Sequence, residues 1–257
     1  MTNTIDLKNK VVLITGGASG AGFKYVKYFA QTSCDIAFTY HRKTNDVQSL
    51  ITELSPKIRI KAYKIDFNDI SSIKDTVNQI ENDFGQIDVL INNAGIYPSK
   101  EIHQIEENDW DEMFAINTKA TFFINRFVSD VMNKNKGGSI INISSINATN
   151  PNINLLHYGS SKAAVEHITK NLAVSLGEKV RVNCIAPGLI YRENIEKDIP
   201  KWVTSYKERS PLKRLVECKD IANTAIFLAS DLSSGITGQI ITVDCGITLS
   251  SSFDYKE

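Results

Sequence analysis

Short apolar runs alternate with helix-periodic stretches along almost the whole chain, and this alternation restricts the fold more than any other feature of the sequence. Val11–Thr15 reads as a buried strand, and Gly22–Thr32 follows with apolar residues at helical spacing. Asp35–Tyr40, Arg59–Ile65, Ile87–Asn92, Ser139–Ser144, Val180–Ile185 and Gln239–Val243 read as further strands. Between them Val47–Leu54, Ile70–Phe84, Trp110–Asn133, Tyr158 to about Leu176 and Asp220–Ala229 read as helices. Asp69 or Ser71 would cap the Ile70 helix and Gly85 would stop it. A continuous apolar run such as Ile87–Asn92 belongs in a sheet covered on both faces. Repeated β-α-β units predict an α/β fold, a doubly wound parallel sheet with helices on both faces. No linker, repeat or compositional break interrupts the pattern, so residues 1–257 read as a single domain. The stretch 189–214 breaks the alternation: charged, with Pro200 and Pro211, it reads as an irregular lid over the ligand-bearing strand ends, or as a plain loop.

Composition removes several classes of function. Twenty-nine basic residues balance twenty-nine acidic ones, so no global field draws the chain to nucleic acid or an anionic membrane. No run is apolar enough to span a bilayer, and the N-terminus lacks the apolar segment of a signal peptide. Cys34, Cys184, Cys218 and Cys245 are scattered without metal-ligand spacing, which reads as reduced thiols in a cytoplasmic protein. The sequons at Asn142 and Asn147 overlap an apolar strand and read as chance matches.

The first strand runs directly into Thr15-Gly16-Gly17-Ala18-Ser19-Gly20-Ala21-Gly22 and then a helix. Glycines there allow a tight turn and close approach of backbone to a pyrophosphate, while the helix N-terminus offers free N–H groups. As a bare string it could also be an ordinary βα turn. The end of the second strand, Thr39-Tyr40-His41-Arg42-Lys43, has no carboxylate for ribose hydroxyls. Arg42 and Lys43 would instead pair with a 2′-phosphate, favouring NADP(H) over NAD(H).

Tyr158 and Lys162 lie four apart, on one face of a helix, thirteen residues beyond Ser145. A free phenol titrates near ~10; an adjacent cation favours the phenolate and would lower that value. A serine hydroxyl beside it could hold a carbonyl or alcohol oxygen during proton transfer. Nine tyrosines in 257 residues supply about one Tyr-x-x-x-Lys by chance, so the pair gains meaning only from its context.

That context resembles the short-chain dehydrogenase/reductase family over nearly the whole chain, and with it a Rossmann-type fold. The matching stretches, in order, are Thr15-Gly16…Gly20-Ala21-Gly22, Asp66-Phe67, Asn92-Asn93-Ala94-Gly95, Asn117, Ile143-Ser144-Ser145, Tyr158…Lys162, Pro187-Gly188 and Thr237-Gly238…Val243-Asp244. Pro211–Leu215 and Phe227–Asp231 are similar to the 3-oxoacyl-acyl-carrier-protein reductase branch.

The resemblance implies that Tyr158 donates a proton to a substrate carbonyl while Ser145 holds its oxygen. Lys162 would bind the nicotinamide ribose and lower the Tyr158 pKa, and Asn117 would hold a water feeding protons to Lys162. For the cofactor it implies Gly16, Ser19, Gly20, Ala21 and Gly22 at the phosphates and Tyr40, Arg42 and Lys43 at the adenosine ribose. Asp66 and Phe67 would meet the adenine, Asn93, Ala94 and Gly95 the adenosine ribose, and Pro187, Gly188 and Ile190 the carboxamide side. Taken singly, Asn117 and Asp66 could be caps or turn formers, and Asn92–Gly95 could merely end a strand. Three positions depart from the family pattern: Arg192 for a threonine, Ser19 for an arginine common in NADP users, and Cys245 for a glycine.

The resemblance further implies a small carbonyl or alcohol substrate, either acyl-carrier-linked or a sugar, polyol or steroid-like alcohol. An acidic carrier would need basic residues at the mouth, for which Arg126, Lys134, Lys136 and Lys179 are candidates. A homotetramer (or dimer) through the Asn117 and Tyr158 helices and the C-terminal strand is also implied, and no metal is expected. A non-catalytic dinucleotide sensor is the remaining alternative, and it would be expected to lack the four proton-transfer residues.

Overall fold

The computed structural model describes residues 5–42 and 45–249. Lys43, proposed above for the 2′-phosphate, lies outside the described residues. Seven strands form one parallel sheet in the order β3-β2-β1-β4-β5-β6-β7. They are β1 Val11–Ile14, β2 Asp35–Tyr40, β3 Ile60–Lys64, β4 Val89–Asn92, β5 Gly138–Ile143, β6 Val180–Pro187 and β7 Ile240–Val243. The order reverses between β1 and β4, and that reversal opens a crevice at their C-terminal ends.

Strand pleating explains the two-faced core. Val12 and Ile14 of β1 point into one apolar layer with Tyr25, Val26 and Phe29 of α1 (Gly20–Ala30) and Leu50 of α2 (Asn45–Leu54). Ile221, Ala222 and Ala225 of α9 (Cys218–Ala229) complete that layer. Val11 and Leu13 point the other way, against Ile73, Val77 and Ile80 of α3 (Ile70–Phe84) and Ile124 and Val128 of α5 (Thr121–Lys134). Asp69 caps α3 through Ser71 N–H at 2.8 Å, and Gly85 ends it in a left-handed turn.

Polar groups cross the middle of this core. The side chains of Asn92, Asn125 and Asn142, all buried, bond one another at 3.0–3.4 Å, and Asn142 donates onward to Thr169 Oγ1 at 3.0 Å. Asn92 and Asn142 face each other in register across β4 and β5.

Two regions differ from the sequence reading. The helix expected over 110–133 begins earlier as α4 (Glu107–Phe114), passes through a π-helical turn at Ala115–Ala120, and continues as α5. The stretch 189–214 is not irregular: it contains α7 (Ile195–Asp198) and α8 (Pro200–Arg209). Pro200 occupies the first turn of α8, where a missing N–H costs nothing, so it starts a helix instead of breaking one. Ile195, Val203, Tyr206 and Leu215 bury a small satellite core beneath that segment.

Candidate active site

The glycine-rich turn is pinned from both sides. Thr15 Oγ1 accepts from Asn93 N–H and Ala94 N–H at 2.9 Å each, and Asn93 Nδ2 donates to the Thr15 carbonyl at 3.0 Å. From β2, Thr39 Oγ1 accepts from Gly16 N–H at 3.1 Å. Gly16 has φ +66°, and a Cβ on it would press on Ala94 Cα at 3.3 Å. A Cβ on Gly22 would collide with the Gly16 carbonyl, so the helix must start flush against the turn. Ser19 caps α1 without a side-chain bond, which leaves the first-turn N–H groups aimed outward beside exposed Gly20 and half-buried Ala21. Nothing lies within 4 Å of a Cβ built on Gly20, so the space outside this turn is open.

Tyr158 and Lys162 stand on α6 (Leu156–Leu176), Ser145 just past β5, and Asn117 in the π turn. Lys162 is buried and its Nζ donates to the Ile143 carbonyl at 2.9 Å. With burial the dominant effect, its pKa is pushed down to about 8. Tyr158 does not follow the expectation of a lowered pKa. Burial pushes the phenol up, while a Ser145 hydrogen bond pulls the other way. At about 8 the lysine is still an ammonium at neutral pH, and its charge does not offset the cost of burying a phenolate. Ser145 Oγ also accepts from Asn147 N–H at 3.2 Å.

Asn117 is fully buried, and both ends of its amide grip Ile96: Oδ1 accepts from Ile96 N–H and Nδ2 donates to its carbonyl, each at 2.9 Å. Nδ2 also reaches Ser161 Oγ at 3.2 Å. A Cβ on Gly95 would lie 3.0 Å from Asn117 Oδ1 and 3.5 Å from Lys162 Nζ, so only hydrogen leaves the space between them open.

The remaining residues line the same crevice to different degrees. Asp66 is exposed at the end of β3 with Oδ1 accepting from Asn68 N–H at 2.9 Å, while Phe67 packs partly into the α3 side of the core. Tyr40 packs against the α1 layer, and exposed Arg42 makes no hydrogen bond or ion pair among the described residues. Pro187 ends β6, and Gly188 N–H donates to the Val243 carbonyl at 2.9 Å. A Cβ on Gly188 would collide with the Tyr206 hydroxyl. Ile190 bridges to Val216. Arg192 pairs with exposed Asp198 at 2.6 Å, and Cys245 adopts φ +58°, a conformation that explains why glycine suits that position.

Three participants escaped the sequence reading. The Ile143 carbonyl is a backbone acceptor, which no side-chain motif announces. Tyr97, 68% exposed, sets its ring edge-on to Tyr158 with centroids 6.3 Å apart. Tyr206 joins the lid segment to the sheet, accepting from Leu189 N–H and donating to the Asp244 carbonyl at 3.1 Å each. Of the basic residues considered for a carrier protein, Lys134, Lys136 and Lys179 precede the N-terminal ends of β5 and β6. In a parallel sheet that is the rim opposite the site, so these residues do not converge on its mouth.

The profile of the family described as enoyl-(acyl carrier protein) reductase matches residues 16–248. The chain is 36% identical over 245 residues to the 3-oxoacyl-(acyl-carrier-protein) reductase FabG of Thermotoga maritima, covering 95% of this chain and 99% of that protein. A gluconate 5-dehydrogenase of Burkholderia cenocepacia, solved with NADP and tartrate, superimposes with a TM-score of 0.90 at 25% identity, over 96% of this chain and 98% of that one. A 7α-hydroxysteroid dehydrogenase, solved with NADH and a 7-oxo bile acid, gives a TM-score of 0.88 at 32% identity, over 94% and 95% of the two chains. Fold, glycine turn and sequence together make this chain a member of the short-chain dehydrogenase/reductase family of nicotinamide-dependent oxidoreductases.

Proposed function

We propose that the protein reduces a small ketone to a secondary alcohol, with Tyr158 as general acid and NADP(H) as the preferred cofactor. The observation that carries this reading is the convergence of Ser145, Tyr158 and Lys162 beside Gly95 and Asn117 at the crevice where the glycine turn lies. Bound nicotinamide would supply the hydride. Gly16, Ser19, Gly20, Ala21 and Gly22 would hold its phosphates, Asp66 and Phe67 its adenine, and Asn93, Ala94 and Gly95 the adenosine ribose. Pro187, Gly188 and Ile190 would border the carboxamide, and Tyr40, Arg42 and Lys43 the 2′-phosphate.

Ser145 would orient the substrate oxygen by donating a hydrogen bond, and Lys162 would anchor the nicotinamide ribose. Burial holds the Tyr158 pKa above its usual value, so the phenol is protonated at neutral pH, the form a donor needs. Asn117 would hold a water that links Lys162 to solvent, in the space that Gly95 leaves open between them. The segment 189–214 would close over the substrate as a lid on an otherwise single domain.

Tyr158→Phe removes only the hydroxyl. Turnover with NADPH should fall roughly 10²–10⁴-fold while cofactor affinity holds. Unchanged cofactor oxidation in that variant would sink the mechanism, and a wild type inert toward every substrate would favour the sensor. A panel of acetoacetyl thioesters, sugars, keto-steroids and simple ketones, run with NADPH and NADH, identifies the substrate class. The FabG relative favours the thioester, while the other relatives keep polyols and steroids in contention. Activity with NADH alone would overturn the role given to Arg42. Exposed Phe122, Leu156 and Val174 on α5 and α6 support assembly through these helices into a homotetramer or dimer, checked by light scattering. Four unpaired buried cysteines suit a cytoplasmic location.

A further inference from the structure

His157 immediately precedes Tyr158, and the proposed reaction gives it no task. Its side chain is fully enclosed, at 0% exposure, yet neither Nδ1 nor Nε2 has a hydrogen-bond partner. Buried polar atoms are nearly always paired, so two orphans on one ring beside the reacting phenol call for a physical reason.

The surroundings supply one. The strap Ile96–Lys100 runs past the start of α6, held at one end by Asn117 on both polar atoms of Ile96. Midway it presses Tyr97 against Tyr158. At the other end Lys100 N–H donates to the Asn154 carbonyl at 3.0 Å, and Lys100 Nζ grips Asp109 Oδ2 of α4 at 2.6 Å. The same carboxylate oxygen accepts from Glu106 N–H at 2.9 Å.

The charges acting on His157 come from both packed elements: Asp109 on α4 favours its protonation and Lys100 on the strap opposes it. Tyr158 is the titratable neighbour on its own helix. Burial is the largest effect and holds the imidazole pKa below its usual value. The ring is therefore neutral at pH 7. A protonated ring would need an anion, and Asp109 is the carboxylate whose field reaches it.

We propose that His157 is a proton-operated positioning residue: neutral, it leaves Asp109 to Lys100 and the strap pinned beside Tyr158; protonated, it draws Asp109 away from Lys100 and slackens the strap that carries Tyr97. The inference builds on Tyr158 being the proton donor, because only then does the strap border the substrate. Its effect falls on substrate positioning. The chemistry of the phenol itself is left in place.

His157→Phe keeps a planar buried ring that cannot titrate. With a ketone that the wild type reduces, wild-type KM should rise about threefold or more as pH falls from about 7.5 to about one unit below the His157 midpoint read by magnetic resonance, as the binding-competent fraction falls. In His157→Phe the KM should stay level across the same range, while kcat follows one profile in both proteins. Should the variant fail to fold, Asp109→Asn keeps the histidine and removes the anion. Its KM should already be raised at pH 7.5 and should no longer depend on pH.

A second readout needs no turnover. With 4 histidines in the chain, the imidazole resonance of His157 can be assigned by difference. It should titrate below ~6.5, with the Tyr97 and Lys100 amide signals shifting at the same midpoint. Equal pH dependence of KM in wild type and variant, or amides that ignore the His157 titration, would overturn the proposal. If no ketone is reduced by any form, the reading of Tyr158 fails, and the magnetic-resonance titration still decides the latch.

Discussion

At the scale of single residues, the most consequential is Lys162, a buried cation tied to a strand carbonyl at 2.9 Å. Its folded pKa lies near 8, below the unfolded value of ~10.4. Between those values the unfolded chain binds more protons than the folded one, so this group's contribution to stability rises with pH across the window. Below about 8 both states are protonated, and the full cost of burying the charge persists. The stability difference between wild type and Lys162→Met, measured by urea titration, should therefore shift toward wild type from pH 8 to above 10. A flat difference would mean that the ammonium is better solvated than its enclosure indicates. The lysine was legible from its spacing to Tyr158. Its partner was not, because the Ile143 carbonyl belongs to the backbone and any residue could carry it. Cys245 shows the converse: the sequence marks it as unusual, and only its φ of +58° says why glycine fits there.

At the scale of elements, the π turn at Ala115–Ala120 separates what the sequence shows from what it hides. An extra residue in a helix leaves the polar and apolar pattern almost intact, so 110–133 reads as one helix. Its effect is geometric, turning Asn117 inward onto Ile96. Asn117→Ala would take both hydrogen-bond partners from the half-buried Ile96 N–H and carbonyl. The expected loss is roughly 2–3 kcal/mol, or about 5–10 °C in Tm for a chain of this size. A drop in activity without a drop in Tm would assign Asn117 to the proton path alone. Helix α8 was missed for another reason: Pro200 reads as a breaker unless its place in the first turn is known.

At the scale of the whole molecule, the alternation of strands and helices was enough to read the parallel sheet, since crossover rules leave few ways to wind it. Longer-range joints were not legible. Tyr206 sits amid charged residues in sequence, yet its hydroxyl links Leu189 after β6 to Asp244 after β7. Tyr206→Phe should leave the core folded and loosen the 189–214 segment. Proteolysis there should quicken, and KM should rise by more than kcat falls. Protection equal to wild type would show that α8 is held by its apolar contacts alone. Charge placement is likewise a property of the assembled sheet: Lys134 and Lys179 stand on the rim away from the site, engaged with Glu81 and the Asn133 carbonyl respectively.

The paired amides of Asn92 and Asn142 have a consequence for folding that burial alone does not convey. Apolar strands tolerate many alignments, since one isoleucine packs about as well as the next. Sliding β4 by one residue against β5, so that Asn92 meets Ile143 and Ile91 meets Asn142, would set each amide opposite an aliphatic side chain, unsatisfied and dry. The pair therefore discriminates between strand alignments: a sheet slipped in that direction carries an energetic penalty that an all-aliphatic pair of strands would not.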